Sequence, residues 1–193
     1  MKIIGIQDHI MIAQEAMDRD SCDKIISLFE SDTNKKKGMG LSASGELAVN
    51  NDKNSIDLVI KPQGEWQSLH AKLHSAISEG LTSYVKIYPG LQVKPIEVTG
   101  YKIQMYEANV GEFKWHFDAL GPGAWSRQIA IIFYLNDVLE GGETEFFHQK
   151  LKIKPTAGTL LLFPPHWTHV HRGNIPKSYK KYVITSFVEF NLV

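Results

Sequence analysis

Cysteine is almost missing from this sequence: Cys22 is the only one in 193 residues. No disulfide can close within the chain, and no cysteine-built zinc site can exist. That usage suits a reducing compartment, and the expected location is the cytoplasm. Net charge is missing too. Lys plus Arg number 21 and Asp plus Glu number 21. The balance argues against a broad nucleic-acid surface, though not against a local basic groove. Long apolar runs are absent as well. Met1–Ile6 is mostly apolar, but Gln7-Asp8-His9 ends the run at once. That is too short for a signal-peptide core or a membrane span. No repeat recurs at solenoid periods.

What is there reads as one domain over 1–193, with a helical support and loop region at 1–95 and a β-rich catalytic core at 96–193. Residues 1–17 suit an edge strand or an arm. Asp20-Ser21 can cap a helix to about Glu30, with Cys22, Ile25, Ile26 and Phe29 on its buried side. Residues 31–55 contain Lys35-Lys36-Lys37-Gly38 and little periodicity, which predicts a long loop, either a solvated connection or a substrate lid. From Glu65 to about Tyr88, Trp66, Leu69, Leu73, Ile77 and Leu81 mark one helical face. His70 and His74 sit one turn apart there, but the zinc-peptidase glutamate after the first His is absent.

After Pro95 the texture changes. Short β-prone runs cover Val98–Met105, Gln128–Leu135, Thr144–Phe147, Thr159–Phe163, Thr168–His171 and Tyr182–Phe190. Gly121-Pro122-Gly123, Gly141-Gly142, Pro155, Gly158, Pro164-Pro165 and Gly173 separate them. Many short strands with turn signals between them predict a sandwich or barrel, with the two helices on its outer face. The fold class is α+β by content.

The chemistry starts at Trp115-His116-Phe117-Asp118. In extended chain, residues i and i+2 share a face, so His116 and Asp118 can reach one metal ion. A third ligand can come from His166-Pro-Trp-Thr-His169-Val-His171, where His169 and His171 would share a strand face. Two His and one carboxylate leave octahedral positions open on one side, the facial triad of non-haem Fe(II) oxygenases. Lys181 heads an otherwise apolar run, where an ammonium is costly unless it meets an anion such as a dicarboxylate cosubstrate. Tyr134 can donate a hydrogen bond to the same carboxylate.

In order along the chain stand Tyr106, His116-Phe-Asp118-Ala, Arg127 leading to Tyr134-Leu-Asn, Gly141-Gly142-Glu-Thr, Pro155-Thr-Ala-Gly-Thr-Leu-Leu-Leu-Phe163, His171-Arg-Gly and Lys181. This set resembles the prolyl 4-hydroxylase branch of the Fe(II)/2-oxoglutarate oxygenases. The resemblance covers about half the chain and implies a double-stranded β-helix, or jelly roll, with N-terminal helices packed on the outer sheet. It implies His116, Asp118 and His171 as metal ligands. It assigns Lys181 and Tyr134 to the distal carboxylate of 2-oxoglutarate, and Tyr106 and Thr185 to the cosubstrate pocket. The family's glycine two residues past the distal His favours His171 over His169. Tyr182 departs from the tryptophan often found beside the basic residue. Fe(II), 2-oxoglutarate, dioxygen and ascorbate are the implied cofactors and cosubstrates, and a proline-containing peptide the implied substrate. The wall candidates are Trp115, Trp167 and the 31–55 loop. Alternatives are an oxygenase acting on another peptidyl residue, free amino acid or small molecule, and a jelly-roll binding module with a structural metal site.

Overall fold

The computed structural model describes residues 1–41, 47–49 and 51–191. Strands β1 (Lys2–Gln7) and β2 (Ile10–Gln14) form an antiparallel hairpin, turned by Asp8 and His9 at positive φ. Helix α1 (Arg19–Ser31) follows. Asp18 caps it by accepting from Ser21 N at 2.8 Å, so the cap falls ahead of the expected Asp20. The span expected as loop instead contains β3 (Lys36–Lys37), β4 (Gly40–Leu41), β5 (Leu47–Ala48) and β6 (Lys53–Asn54). Residues 42–46 and 50, on which the lid reading partly rests, lie outside the described residues. Strand β7 (Ile56–Val59) leads into helix α2 (Trp66–Ile87), whose buried face carries Leu73, Ile77 and Leu81 as the periodicity requires.

The second half is strands. They are β8 (Ile96–Val98), β9 (Lys102–Tyr106), β10 (Glu112–His116), β11 (Arg127–Tyr134) and β12 (Thr144–Phe146). Then come β13 (Leu151–Ile153), β14 (Thr159–Phe163), β15 (His171–Gly173) and β16 (Lys181–Phe190). The expected strand at Thr168–His171 is displaced: Trp167–His169 is a 3-10 turn, and the strand begins at His171. Among the described residues the major sheet runs β1-β2-β14-β11-β16-β9-β7-β3, with β8 also on β16. The minor sheet runs β13-β12-β15-β10-β6. Every pairing is antiparallel. This is a double-stranded β-helix in an α+β chain.

The central strands of the major sheet are buried on both faces, which is why they read as nearly unbroken apolar runs. In β14, Leu160 and Leu162 face the helices while Leu161 and Phe163 face the minor sheet. In β11, Ile129, Ile131 and Phe133 face the helices, and Ala130 and Tyr134 face inward. Burial pushes the Cys22 thiol up to about 11, so it is a packing group and not a nucleophile. No helix among the described residues is long and apolar enough to cross a membrane.

The Gly141-Gly142 pair has a backbone reason. Both glycines sit at positive φ, 72° and 73°. A Cβ on Gly141 would lie 2.3 Å from the carbonyl oxygen of Ile175. We therefore expect Gly141→Ala to cost at least about 1–3 kcal/mol, measured by urea unfolding. An unchanged midpoint would show that the turn can re-form around a side chain.

Candidate active site

Strand β10 ends at His116, and the loop after it carries Asp118. Asp118 N and Ala119 N both donate to the carbonyl of Pro165 at 2.9 Å. Arg127 Nη1 donates to the carbonyl of Asp118 at 2.7 Å. The backbone bearing the carboxylate is thus held from two sides. His171 opens β15, which pairs antiparallel with β10, His116 opposite His171. Sheet register, rather than sequence proximity, brings the three side chains together.

Their ligand atoms lie within 4.8 Å of one another, the one cluster of three such residues among the described residues. His116 Nε2 is 3.7 Å from Asp118 Oδ1, and His171 Nε2 is 3.6 Å from Asp118 Oδ2. Both distances are too long for hydrogen bonds. Each ring uses its other nitrogen: Nδ1 of His116 lies 2.7 Å from the Lys114 carbonyl, and Nδ1 of His171 lies 3.0 Å from the His169 carbonyl. A donated Nδ1–H leaves Nε2 with a free lone pair, the form a metal needs. Burial, then the neighbouring His171, pushes His116 down to about 3, so its ring is neutral. Two imidazoles, each with its Nδ1 against a backbone carbonyl, and a carboxylate with space between them fit a divalent cation held on one side only.

His169 is not part of this group. Its Nε2 contacts the Asp8 carbonyl at 2.8 Å and its Nδ1 the Thr168 hydroxyl at 2.9 Å. The 3-10 turn rotates it away from the face that His171 occupies. His70 and His74 stack along α2 near Tyr101, and His74 bonds the Tyr101 hydroxyl at 2.7 Å. They lie on the surface side of α2, outside the core clusters.

The triad opens on a cavity of about 470 Å³ between the sheets. Its floor is the inner face of β9 and β16, where Lys102, Gln104 and Tyr106 alternate beside Lys181, Val183 and Thr185. Lys181 is 3% exposed. Its Nζ sits 5.5 Å from the Tyr106 ring centre and 5.6 Å from that of Tyr134. No carboxylate among the described residues comes within ion-pair distance of it, and burial pulls its ammonium down to about 7. Tyr134 is fully buried beside this cavity. Its hydroxyl donates to Thr144 Oγ1 at 2.6 Å, and Thr144 is the residue that lines the cavity. Tyr106 donates to Gln104 Oε1 at 2.8 Å, and Gln104 Nε2 donates to Thr185 Oγ1 at 3.1 Å. Burial raises both tyrosines, so both stay protonated donors.

Sequence reasoning missed Thr144, Gln104, Lys102 and Lys53 as cavity groups. A period-two reading back from Tyr106 would have found Lys102 and Gln104. Lys53 carries no such signal, because it arrives from the far end of the minor sheet. At the mouth, Trp115 meets Phe147 edge-on at 5.3 Å, and Arg172 lies over Trp115 at 4.5 Å while paired to Glu145. Trp167 is 69% exposed and does not line the cavity.

Residues 101–189 match the family model of the 2OG-Fe(II) oxygenase superfamily. The fold is similar to a viral collagen prolyl hydroxylase from Paramecium Bursaria Chlorella virus-1, solved with 2-oxoglutarate (TM-score 0.71, 18% identity, 95% of this chain and 97% of that one). It is similar to a prolyl hydroxylase from Trichoplax adhaerens in complex with a hypoxia inducible factor peptide fragment (TM-score 0.75, 19% identity, 95% and 84%). A Pseudomonas putida prolyl-4-hydroxylase is also similar (TM-score 0.68, 16% identity, 95% and 93%). No curated protein matches the chain in sequence.

Proposed function

We propose that this chain, a prolyl 4-hydroxylase-like 2OG-Fe(II) dioxygenase, hydroxylates a proline within a peptide or protein. The observation that carries the reading is Lys181. It is a buried ammonium with no acidic partner in ion-pair reach among the described residues, in the same cavity as the triad. Such a charge is costly unless an anion meets it, and a diacid also able to chelate a metal meets both needs.

In this reading His116, Asp118 and His171 hold Fe(II). Lys181 receives the distal carboxylate of 2-oxoglutarate. Thr144 donates its own hydroxyl proton to that carboxylate, because its oxygen already accepts from Tyr134; Tyr134 acts through Thr144. Tyr106 and Thr185, joined through Gln104, keep the polar wall in register. When bound, the iron would activate dioxygen, which is the oxidant: one oxygen atom would go to the substrate C–H to give C–OH and the other to 2-oxoglutarate, which loses CO2 and becomes succinate. The protein's own work is positioning and water exclusion: the apolar inner face of Ala130, Ile132, Val183 and Phe187 keeps the cavity dry beside the reacting centre. The peptide enters at the Trp115–Phe147 wall, and the Trichoplax relative, captured with a peptide, supports a chain-like substrate. An extended proline-containing peptide costs little entropy to dock on such a wall.

The test is mass spectrometry of proline-containing peptides after incubation with Fe(II), 2-oxoglutarate and ascorbate. The expected result is a gain of about 16 Da located on proline, one oxygen atom inserted per turnover. Oxygen appearing only on other residues or on small molecules would move the assignment to another substrate within the same class.

A further inference from the structure

The cavity holds a second cationic position, at the end of its floor opposite Lys181. Strands β9 and β16 pair Tyr106 with Lys181 and Lys102 with Thr185. Lys102 and Lys181 therefore lie on one inner face at opposite ends of the strand pair. Four residues of strand separate their backbone positions, roughly 13 Å. A small diacid anchored on Lys181 does not span that distance.

At the Lys102 end two ammonium groups meet one carboxylate at ion-pair distance among the described residues, with Asp118 acting on Lys53 only from further away. Lys53 Nζ is 2.7 Å from Asp57 Oδ2, and Lys102 Nζ is 3.4 Å from the same oxygen. The other oxygen of Asp57 accepts from the Ser55 hydroxyl at 2.7 Å. Two ammonium groups thus share one carboxylate whose second oxygen is already used. The two cavity arginines have carboxylates of their own: Arg172 with Glu145 at 2.7 Å and Arg127 with Glu189 at 3.6 Å. Among the described residues, Asp57 is the only carboxylate within ion-pair distance of Lys53 or Lys102. Lys53 is 2% exposed, and burial pulls its ammonium down to about 8 although Asp57 touches it. A structural ion pair there gains little over an apolar pair, so a surplus charge facing a cavity points to a ligand.

We propose that Lys102 and Lys53 form a recognition site for a carboxylate on the substrate, so that the enzyme selects an acidic residue flanking the residue it hydroxylates. The inference rests on the reading of this cavity as the dioxygenase site. The neighbouring Phe113 and Phe187 walls keep the contact partly dry, which strengthens the pairing.

The test is calorimetric binding of matched capped peptides to the anaerobic Fe(II)- and 2-oxoglutarate-loaded protein. One series contains proline at the centre and the other alanine, each with Glu or Gln at the flanking positions. The expected result is about tenfold or greater preference for Glu over Gln at one flank, the scale of a charge-assisted contact. Lys102→Gln should collapse the ratio towards unity, and Lys102→Arg should restore it. Lys102 is partly exposed, so neither change threatens the core. A Glu preference in the alanine series alone would sink the prolyl assignment while sustaining the acidic site. No Glu preference in either series, including no measurable binding, or a preference that survives Lys102→Gln, overturns the proposal.

Discussion

His116→Ala and Asp118→Ala should each reduce succinate formation to below about 1% of wild type, the scale of losing a preorganised catalytic group. Both should also lose stoichiometric Fe(II) or Co(II) binding while keeping a cooperative melt. The fold should survive because the loop bearing Asp118 is tied by its backbone. The amides of Asp118 and Ala119 reach Pro165, and Arg127 reaches the Asp118 carbonyl. None of these bonds uses the carboxylate. His116 is only partly buried, and its removal forfeits its stack on Phe113 at 3.5 Å without opening the main core. Metal titration alongside circular-dichroism melting separates the two effects. Wild-type succinate production by Asp118→Ala would remove that carboxylate from the ligand set.

Lys181→Met should raise the KM for 2-oxoglutarate about a hundredfold or more, with a smaller change in kcat. Deleting one partner of a buried charge pair costs about 3–5 kcal/mol. The same substitution should leave Tm unchanged or raise it, because in the free protein the ammonium is buried among tyrosine rings with no carboxylate within ion-pair distance among the described residues. Function and stability then move in opposite directions, which a packing role would not produce. The pH dependence follows from the depressed ammonium. Burial holds Lys181 at about 7 in the free protein, and only the charged form attracts the diacid. Below that pH the wild-type KM should be flat. Above it the KM should rise by up to about tenfold per pH unit, whereas Lys181→Met should show no such rise. An unchanged KM in Lys181→Met would sink the assignment of this residue.

Much of the site was readable in advance because its parts obey local rules. The two-residue step from His116 to Asp118 is a property of extended chain, and a lysine heading an apolar strand is anomalous wherever that strand packs. Gly141-Gly142 marked a turn that only glycine enters without strain. Other features were hidden. The step from His169 to His171 looked like one strand face until a 3-10 turn put the first ring against Asp8. Tyr134 is the residue singled out in the sequence, and in the structure its hydroxyl donates to Thr144, which lines the cavity. Local spacing cannot tell which of two hydroxyls lies nearer the open space.

The primary structure alone settled the residue types, their order and the period-two pattern of the core strands, since these depend on neighbours along the chain. Tertiary structure alone decided which distant groups meet. Register across β10 and β15 sets His116 opposite His171, and register across β9 and β16 sets Tyr106 beside Lys181 with Lys102 at the far end. Among the described residues, the N-terminal strands join the major sheet through β2 on β14 and β7 on β9. Such pairings close long loops, and their free energy comes from apolar faces buried between layers. No window of sequence contains both sides of those layers.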